Sequence, residues 1–133
     1  MSTIDKQLIF PEGLSRPTGV WTTVTTARPG RLVFVSGLTA KDASGVVVGK
    51  DDIRVQTVQV CENLKLAMQS AGGSLRDIMR VDVFIKDMAH FKVIHEVRGR
   101  YFDVEPPAST MVAVSAFTHP DMLIEINAIA VLP

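Results

Sequence analysis

The chain has 133 residues, of which 47% are hydrophobic and 21% are charged, a composition typical of an ordinary globular protein. This length predicts one domain, residues 1–133, that is large enough to bury a hydrophobic core. The formal net charge is zero and no basic stripe is present, which argues against nucleic acid as a main partner, because phosphate binding needs clustered Lys and Arg.

The sequence also argues against several other classes of protein. A single cysteine, Cys61, excludes an internal disulfide and a Cys-rich metal site. The three histidines, His90, His95 and His119, lack metal-ligand spacing, so surface or capping roles are the simpler interpretation. No apolar run approaches the roughly 20 residues that span a bilayer. The N-terminal segment MSTIDKQLIF has no apolar signal core, so we expect a cytoplasmic protein without membrane association.

The first half of the chain predicts three strands and a helix. Runs rich in β-branched residues predict strands at residues 6–10, 20–26 and 31–36, with a brief one at 46–48. The third run is nearly all apolar, so we expect it to be central in its sheet. Asp51 and Asp52 predict a helix start, and Gly72 with Gly73 predicts its end. Cys61 lies on the apolar stripe of this helix, which favours core packing over a nucleophilic role.

The second half predicts another strand, another helix and a closing hairpin. An alternating run at 80–86 predicts the strand, and the helix is expected from Met88 to about Phe102. The hairpin would join strands 110–114 and 122–131 through a turn at 118–121. Strands outnumber helices, and two helices can cover only one sheet face, so the predicted class is α+β. The other face would remain exposed and apolar, which predicts an oligomer that buries it.

The last predicted strand contains a candidate for acid–base chemistry. Its alternation places Ile124 and Ile126 on one side and Glu125 on the other. Because ionised carboxylates are rarely buried without a partner, Glu125 either lies on a solvated face or faces a pocket, where it could shuttle protons or position water. A structural ion pair is the open alternative. Ser36 and Gly37, at the end of the third strand, could hold a ligand or simply terminate the strand.

Six segments occur in a characteristic order along nearly the whole chain. They are LVFVSG (32–37), QTVQVCENLK (56–65), AGGSLRDI (71–78), VDVFIKDMAHF (81–91), PAST (107–110) and LIEINAIAV (123–131). Together they resemble the Rid family, the YjgF-type reactive-intermediate deaminases. The resemblance implies a chorismate-mutase-like fold with two helices on one face of a mostly antiparallel or mixed sheet. It also implies a homotrimer whose sheets form a central barrel, with ligand clefts between the subunits.

The resemblance further implies hydrolysis of small enamines or imines, such as 2-aminoacrylate, to a keto acid and ammonia, without a metal or an organic cofactor. Glu125 matches the glutamate thought to hold or activate the water. His95 falls where the family often has an asparagine, and the resemblance, with a small insertion, matches Trp21 to an aromatic residue of the second strand. The residues expected to contact the substrate or wall the cleft are Ser36, Gly37, Ser109, Trp21, Phe91 and His95.

One departure from the family bears on the mechanism. In deaminating members the closing hairpin begins Pro-Ala-Arg, and the arginine grips the substrate carboxylate; here that position is Ser109. Losing such a charge-assisted pair costs about 1.5–3 kcal/mol, a roughly ten- to hundredfold effect. Arg31 and Arg98 are candidate stand-ins, although Arg98, like Lys65 and Arg100, is most simply interpreted as part of a solvated helix face.

Two hypotheses therefore remain, with a third less favoured. The first is a trimeric hydrolase of a small imine or enamine other than a short 2-imino acid, for example an aminomuconate. The second is a non-catalytic trimer that binds a small ligand or has a regulatory role. A ribonuclease or translation inhibitor, an old label in this family, is disfavoured by the neutral charge.

Overall fold

A computed structural model describes residues 4–133 of the chain, so Met1–Thr3 of the segment considered as a signal sequence lie outside the described residues. The helices are α1 (Ile53–Ser70) and α2 (Phe91–Tyr101), each adjacent to a short 3-10 turn (Leu75–Asp77 and Met88–His90). The strands are β1 (Gln7–Ile9), β2 (Val24–Thr26), β3 (Arg31–Leu38), β4 (Ile78–Ile85), β5 (Ala108–Ala113) and β6 (Ile124–Leu132). The α+β class is confirmed. Across residues 4–133, no helix is long and apolar enough to cross a membrane.

The main sheet has the strand order β3-β6-β4-β5, and β1 and β2 form a separate antiparallel pair. β4 runs parallel to β5, while β6 is antiparallel to both β3 and β4, so the sheet is mixed. The predicted closing hairpin is therefore wrong, because β4 lies between β5 and β6. Turn residues at 118–121 allow the chain to reverse direction. They cannot indicate that β4 pairs with β5 and so separates it from β6.

The prediction that the third strand is central is also wrong. β3 is an edge strand of the main sheet, and its side chains Leu32 and Phe34 are 58% and 71% exposed. The run is apolar because both of its faces carry apolar residues, and one of these faces is left uncovered in a single protomer. The oligomer that would cover it remains a prediction.

Two other predicted strands are shorter than expected. The run at 20–26 forms a strand only at its end, as β2, and the run at 46–48 contributes only an isolated bridge between Lys41 and Val47. β-branched composition favours extended backbone, but a strand also requires a neighbour with which to pair.

The helices pack on one face of the sheet and bury the core with it. α1 begins at the cap Asp52, whose carboxylate accepts a hydrogen bond from the Val55 amide at 3.1 Å. The buried core includes Val60, Leu64 and Met68 of α1, Ile94 of α2, Val81, Val83 and Ile85 of β4, and Ile124, Ile126 and Ala128 of β6. Cys61 is fully buried, and burial raises the pKa of its thiol to about 12, so it is protonated and unreactive near neutral pH.

Lys6 ties the start of the chain to two other parts of the fold. Its ammonium group donates to the carbonyls of Arg76 and Ile78, each at 3.0 Å, and of Glu105 at 2.7 Å. Burial lowers the pKa of Lys6 to about 8, which still leaves it mostly charged at pH 7.

We expect Lys6→Met to lower the free energy of unfolding by about 1–3 kcal/mol, because three carbonyls lose a donor. Urea unfolding at pH 7 measures this change, with the substitution of the exposed Lys92 by Met as a control. Equal midpoints for the two variants would show that the ammonium group contributes nothing net.

Candidate functional site

Strand register divides the predicted site residues between the two faces of the main sheet. Paired residues on neighbouring strands point to the same face. Ser109 pairs with Val81, which is buried beneath the helices, so Ser109 lies on the helix side. Glu125 pairs with Phe84 and lies on the opposite side, which neither helix covers and which we term the open face.

The carboxylate of Glu125 is half-buried and lines a cavity of about 360 Å³ on the open face. The other lining residues are Phe84, Val114, Ala116, Phe117 and Thr118. Within residues 4–133, no basic side chain forms an ion pair with Glu125, so the structural ion pair that sequence reasoning left open is not formed within the protomer.

Gly37 lies directly against this carboxylate. A β-carbon built on Gly37 would come 2.7 Å from Cδ of Glu125, so only glycine lets the carboxylate rest over the backbone of β3. The pairing of β3 with β6 shifts between Val35 and Leu38, which indicates a bulge at this point. The exposed Ser36 is part of the same irregular segment. The fold thus brings Gly37 into contact with Glu125, whereas Ser36, although next to Gly37 in the chain, does not line the cavity of Glu125.

We expect Gly37→Ala to impair catalysis more than folding. The added methyl group must displace the Glu125 carboxylate, and a misplacement of that size can lower kcat/KM by about 10²-fold. The stability cost is expected to stay below about 1 kcal/mol, because Gly37 is exposed and the displaced atoms are the end of a flexible side chain. Ammonia-release kinetics and urea unfolding on the same preparation separate the two effects.

Gly99→Ala is the matched control, since its new β-carbon would lie at an ordinary 3.5 Å from Cγ2 of Val20. If both glycine variants keep wild-type kcat/KM, the close approach of Gly37 to Glu125 has no catalytic importance.

A second cavity, of about 340 Å³, lies between α2, β5 and the segment at residues 18–21. Four of the residues predicted from sequence meet here, namely Trp21, Phe91, His95 and Ser109. The remaining lining residues are Thr18, Gly19, Arg98 and Met111. We term this space the α2–β5 cavity.

His95 is held as a neutral imidazole in the α2–β5 cavity. Its Nε2 accepts a hydrogen bond from the Val20 amide at 3.2 Å, and its ring stacks on Phe91 with centroids 5.4 Å apart. A β-carbon on Gly19 would overlap this ring. Burial, and then the charge of Arg98, lower the pKa of His95. Because Nε2 is the acceptor, the proton of the neutral ring lies on Nδ1.

Arg98 is the site residue that sequence reasoning placed wrongly. It is only 3% exposed, instead of lying on a solvated helix face, and its Nη2 donates to Oγ of Ser109 at 2.9 Å. Its Nε is buried and has no hydrogen-bond partner among residues 4–133. Arg31, the other candidate stand-in, donates to the carbonyl of Ala71 at the end of α1 and does not line the α2–β5 cavity. The available signal was position, since Arg98 follows Ile94 by four residues on the inner stripe of α2.

The donor groups do not form a metal centre. Among residues 4–133, no three His, Cys, Asp or Glu side chains cluster so that they could hold a metal ion. The fold and the two cavities define an α+β protein that has small concave sites on both faces of one mixed sheet.

Comparison with known proteins gives the family. The family model described as Endoribonuclease L-PSP matches residues 15–132, and the chain belongs to this family, also known as the Rid or YjgF family. A RutC family protein from Pyrococcus horikoshii is 39% identical, over 94% of this chain and 97% of its own length. The 3-aminoacrylate deaminase RutC of Acinetobacter baylyi is 37% identical over the same shares of the two chains.

Solved structures show the same fold. The conserved Rid family protein YyfB of Yersinia pestis, whose function is unknown, has a TM-score of 0.89 at 28% identity and covers 97% of this chain and 100% of its own. A putative endoribonuclease from Thermotoga maritima has a TM-score of 0.73 at 33% identity, covering 96% and 98%.

Proposed function

We propose that the protein hydrolyses a small enamine or imine and releases ammonia. The observation that carries this proposal is the carboxylate of Glu125, which lines a cavity, lies against Gly37 and has no ion-pair partner among the described residues. The similarity to a relative named a 3-aminoacrylate deaminase supports the reaction class.

The reaction needs only water and proton transfers. An enamine first takes a proton on carbon and becomes an iminium ion. Glu125 accepts a proton from water as its oxygen bonds to the iminium carbon, and the C=N π electrons move to nitrogen. Glu125 returns its proton to the nitrogen of the resulting carbinolamine, the C–N bond breaks with its electron pair staying on nitrogen, and ammonia leaves. The oxygen lone pair forms the carbonyl as the hydroxyl proton is released.

Assembly would complete the site in this proposal. Glu125 and the α2–β5 cavity lie on opposite faces of the sheet within one protomer. The open face carries exposed apolar side chains, including Phe34 and Ile129, which are 71% and 39% exposed and support burial by other copies of the chain. In a homotrimer with clefts between subunits, neighbouring protomers supply the carboxylate and the α2–β5 cavity to one site.

Ammonia release tests the proposal directly. Imines generated in situ by an amino-acid oxidase, together with 3-aminoacrylate and aminomuconate-type compounds, form the substrate panel. We expect the protein to accelerate ammonia release above the spontaneous rate for at least one of them. Silence on the whole panel, with ligand binding retained, would favour the binding trimer instead. RNA binding that weakens steeply with salt would favour a nucleic-acid function.

A further inference from the structure

A buried guanidinium without a counter-ion lies at the α2–β5 cavity. Arg98 is 3% exposed, and no carboxylate pairs with it within residues 4–133. Its Nη2 donates to Ser109, while the buried Nε has no hydrogen-bond partner in the described part of the chain. Buried charges are normally paired and buried donors are normally satisfied, because both are costly otherwise. A ligand that supplies the missing anion would remove both costs.

The rest of the cavity restricts what that ligand can be. Its other walls include Trp21, Phe91 and Met111, which are apolar, and His95, whose accepting Nε2 leaves the ring neutral. None of the described residues that line the cavity is acidic. A single cation suits a monoanion better than a phosphate dianion. The volume of about 340 Å³ suits a small molecule with a flat, largely apolar body.

The geometry of the guanidinium favours a carboxylate. Arginine binds carboxylates through two parallel N–H groups, which requires an edge of the group that is not already occupied. At Arg98 the Nε–H is unoccupied, and the Ser109 hydroxyl holds Nη2 in place. Ser109, at the position where the resemblance implies an arginine, thus accepts a hydrogen bond from an arginine of another element, α2.

We propose that Arg98 binds the carboxylate of the substrate, so that the substrate is a small unsaturated amino or imino acid rather than a neutral imine. This identification of the ligand as a substrate rests on the proposed hydrolase function. It reverses the expectation that Ser109 excludes short imino acids, because the positive charge is supplied by α2 instead of β5.

Binding of stable probes tests the inference without turnover. Propionate carries the carboxylate and propionamide is its neutral match. By NMR titration we expect propionate to bind at least about tenfold more tightly than propionamide. The Nε–H resonance of Arg98 should shift on addition of propionate, which a merely structural arginine would not show. Arg98→Gln should remove the preference, whereas Arg100→Gln should keep it, because Arg100 is exposed and paired with Glu96.

Wild-type protein that binds propionate and propionamide equally, or an unmoved Arg98 Nε–H resonance, would overturn the inference. These two readouts need no variant, so they decide the matter even if Arg98→Gln fails to fold; Arg98→Lys then serves as a charge-preserving variant expected to bind propionate more weakly than wild type. Carboxylate preference without ammonia release would support the anion site and refute the hydrolase. Ammonia release without carboxylate preference would support the hydrolase and refute the anion site.

Discussion

Glu125→Ala is expected to abolish ammonia release, lowering kcat/KM by about 10²–10⁴-fold, the usual contribution of a general base. The carboxylate lines the open-face cavity and has no ion-pair partner among residues 4–133, so its removal takes away a proton acceptor but no structural ion pair. Urea unfolding should therefore show the variant to be about as stable as wild type. Kinetics and stability measured together distinguish a catalytic group from a structural one.

Glu125→Gln sharpens this prediction, because the amide keeps the shape of the side chain but cannot take a proton from water. We expect it to be as inactive as the alanine variant. Glu12→Ala, which removes an exposed carboxylate from a turn near the start of the chain, is the control and should keep wild-type activity. An active Glu125→Gln variant would show that the side chain positions water without accepting its proton.

Ser109→Arg is expected to destabilise the protein instead of conferring the activity of arginine-containing relatives. The Ser109 hydroxyl lies 2.9 Å from Nη2 of Arg98, so the new guanidinium would be placed beside one that is already buried. An uncompensated buried charge costs on the order of 3–5 kcal/mol. We expect a loss of this size in urea unfolding, together with weaker binding of propionate.

The double variant Arg98→Ala/Ser109→Arg returns the cavity to a single guanidinium, now carried by β5. We expect it to recover most of the stability and the carboxylate binding that Ser109→Arg loses. The double-mutant cycle isolates the interaction between the two positions, which should be strongly non-additive because the residues are in contact. If Ser109→Arg alone were as stable as wild type and bound propionate more tightly, the two positions would not share one anion site.

The sequence by itself determined both helices, most of the strands and the inward side of the last strand. The alternation around Ile124 and Ile126 correctly indicated the buried side of β6, because side chains of a strand alternate between two faces. The apolar stripe that contains Cys61 correctly indicated the buried side of α1, where Val60, Leu64 and Met68 are buried as well. The six segments in their order also identified the family, because such a pattern can be recognised in the sequence without knowledge of the fold.

Only the tertiary structure decided which of these elements are neighbours. β4 separates β5 from β6, and β3 lies at an edge, although neither strand's own residues specify its partner. The contact between Gly37 and Glu125 depends on the pairing of β3 with β6, two strands far apart in the chain.

The burial of Arg98 was decided in the same way. Arg98 lies at the border of the inner stripe of α2, four residues after Ile94, but a long charged side chain at such a border usually extends into solvent. It is enclosed because β5 brings Ser109 against it and the segment containing Trp21 closes the same cavity. Helical periodicity indicates only which side of a single helix a residue occupies. Whether a charged side chain at the border of that side is buried depends on segments that lie far away in the sequence.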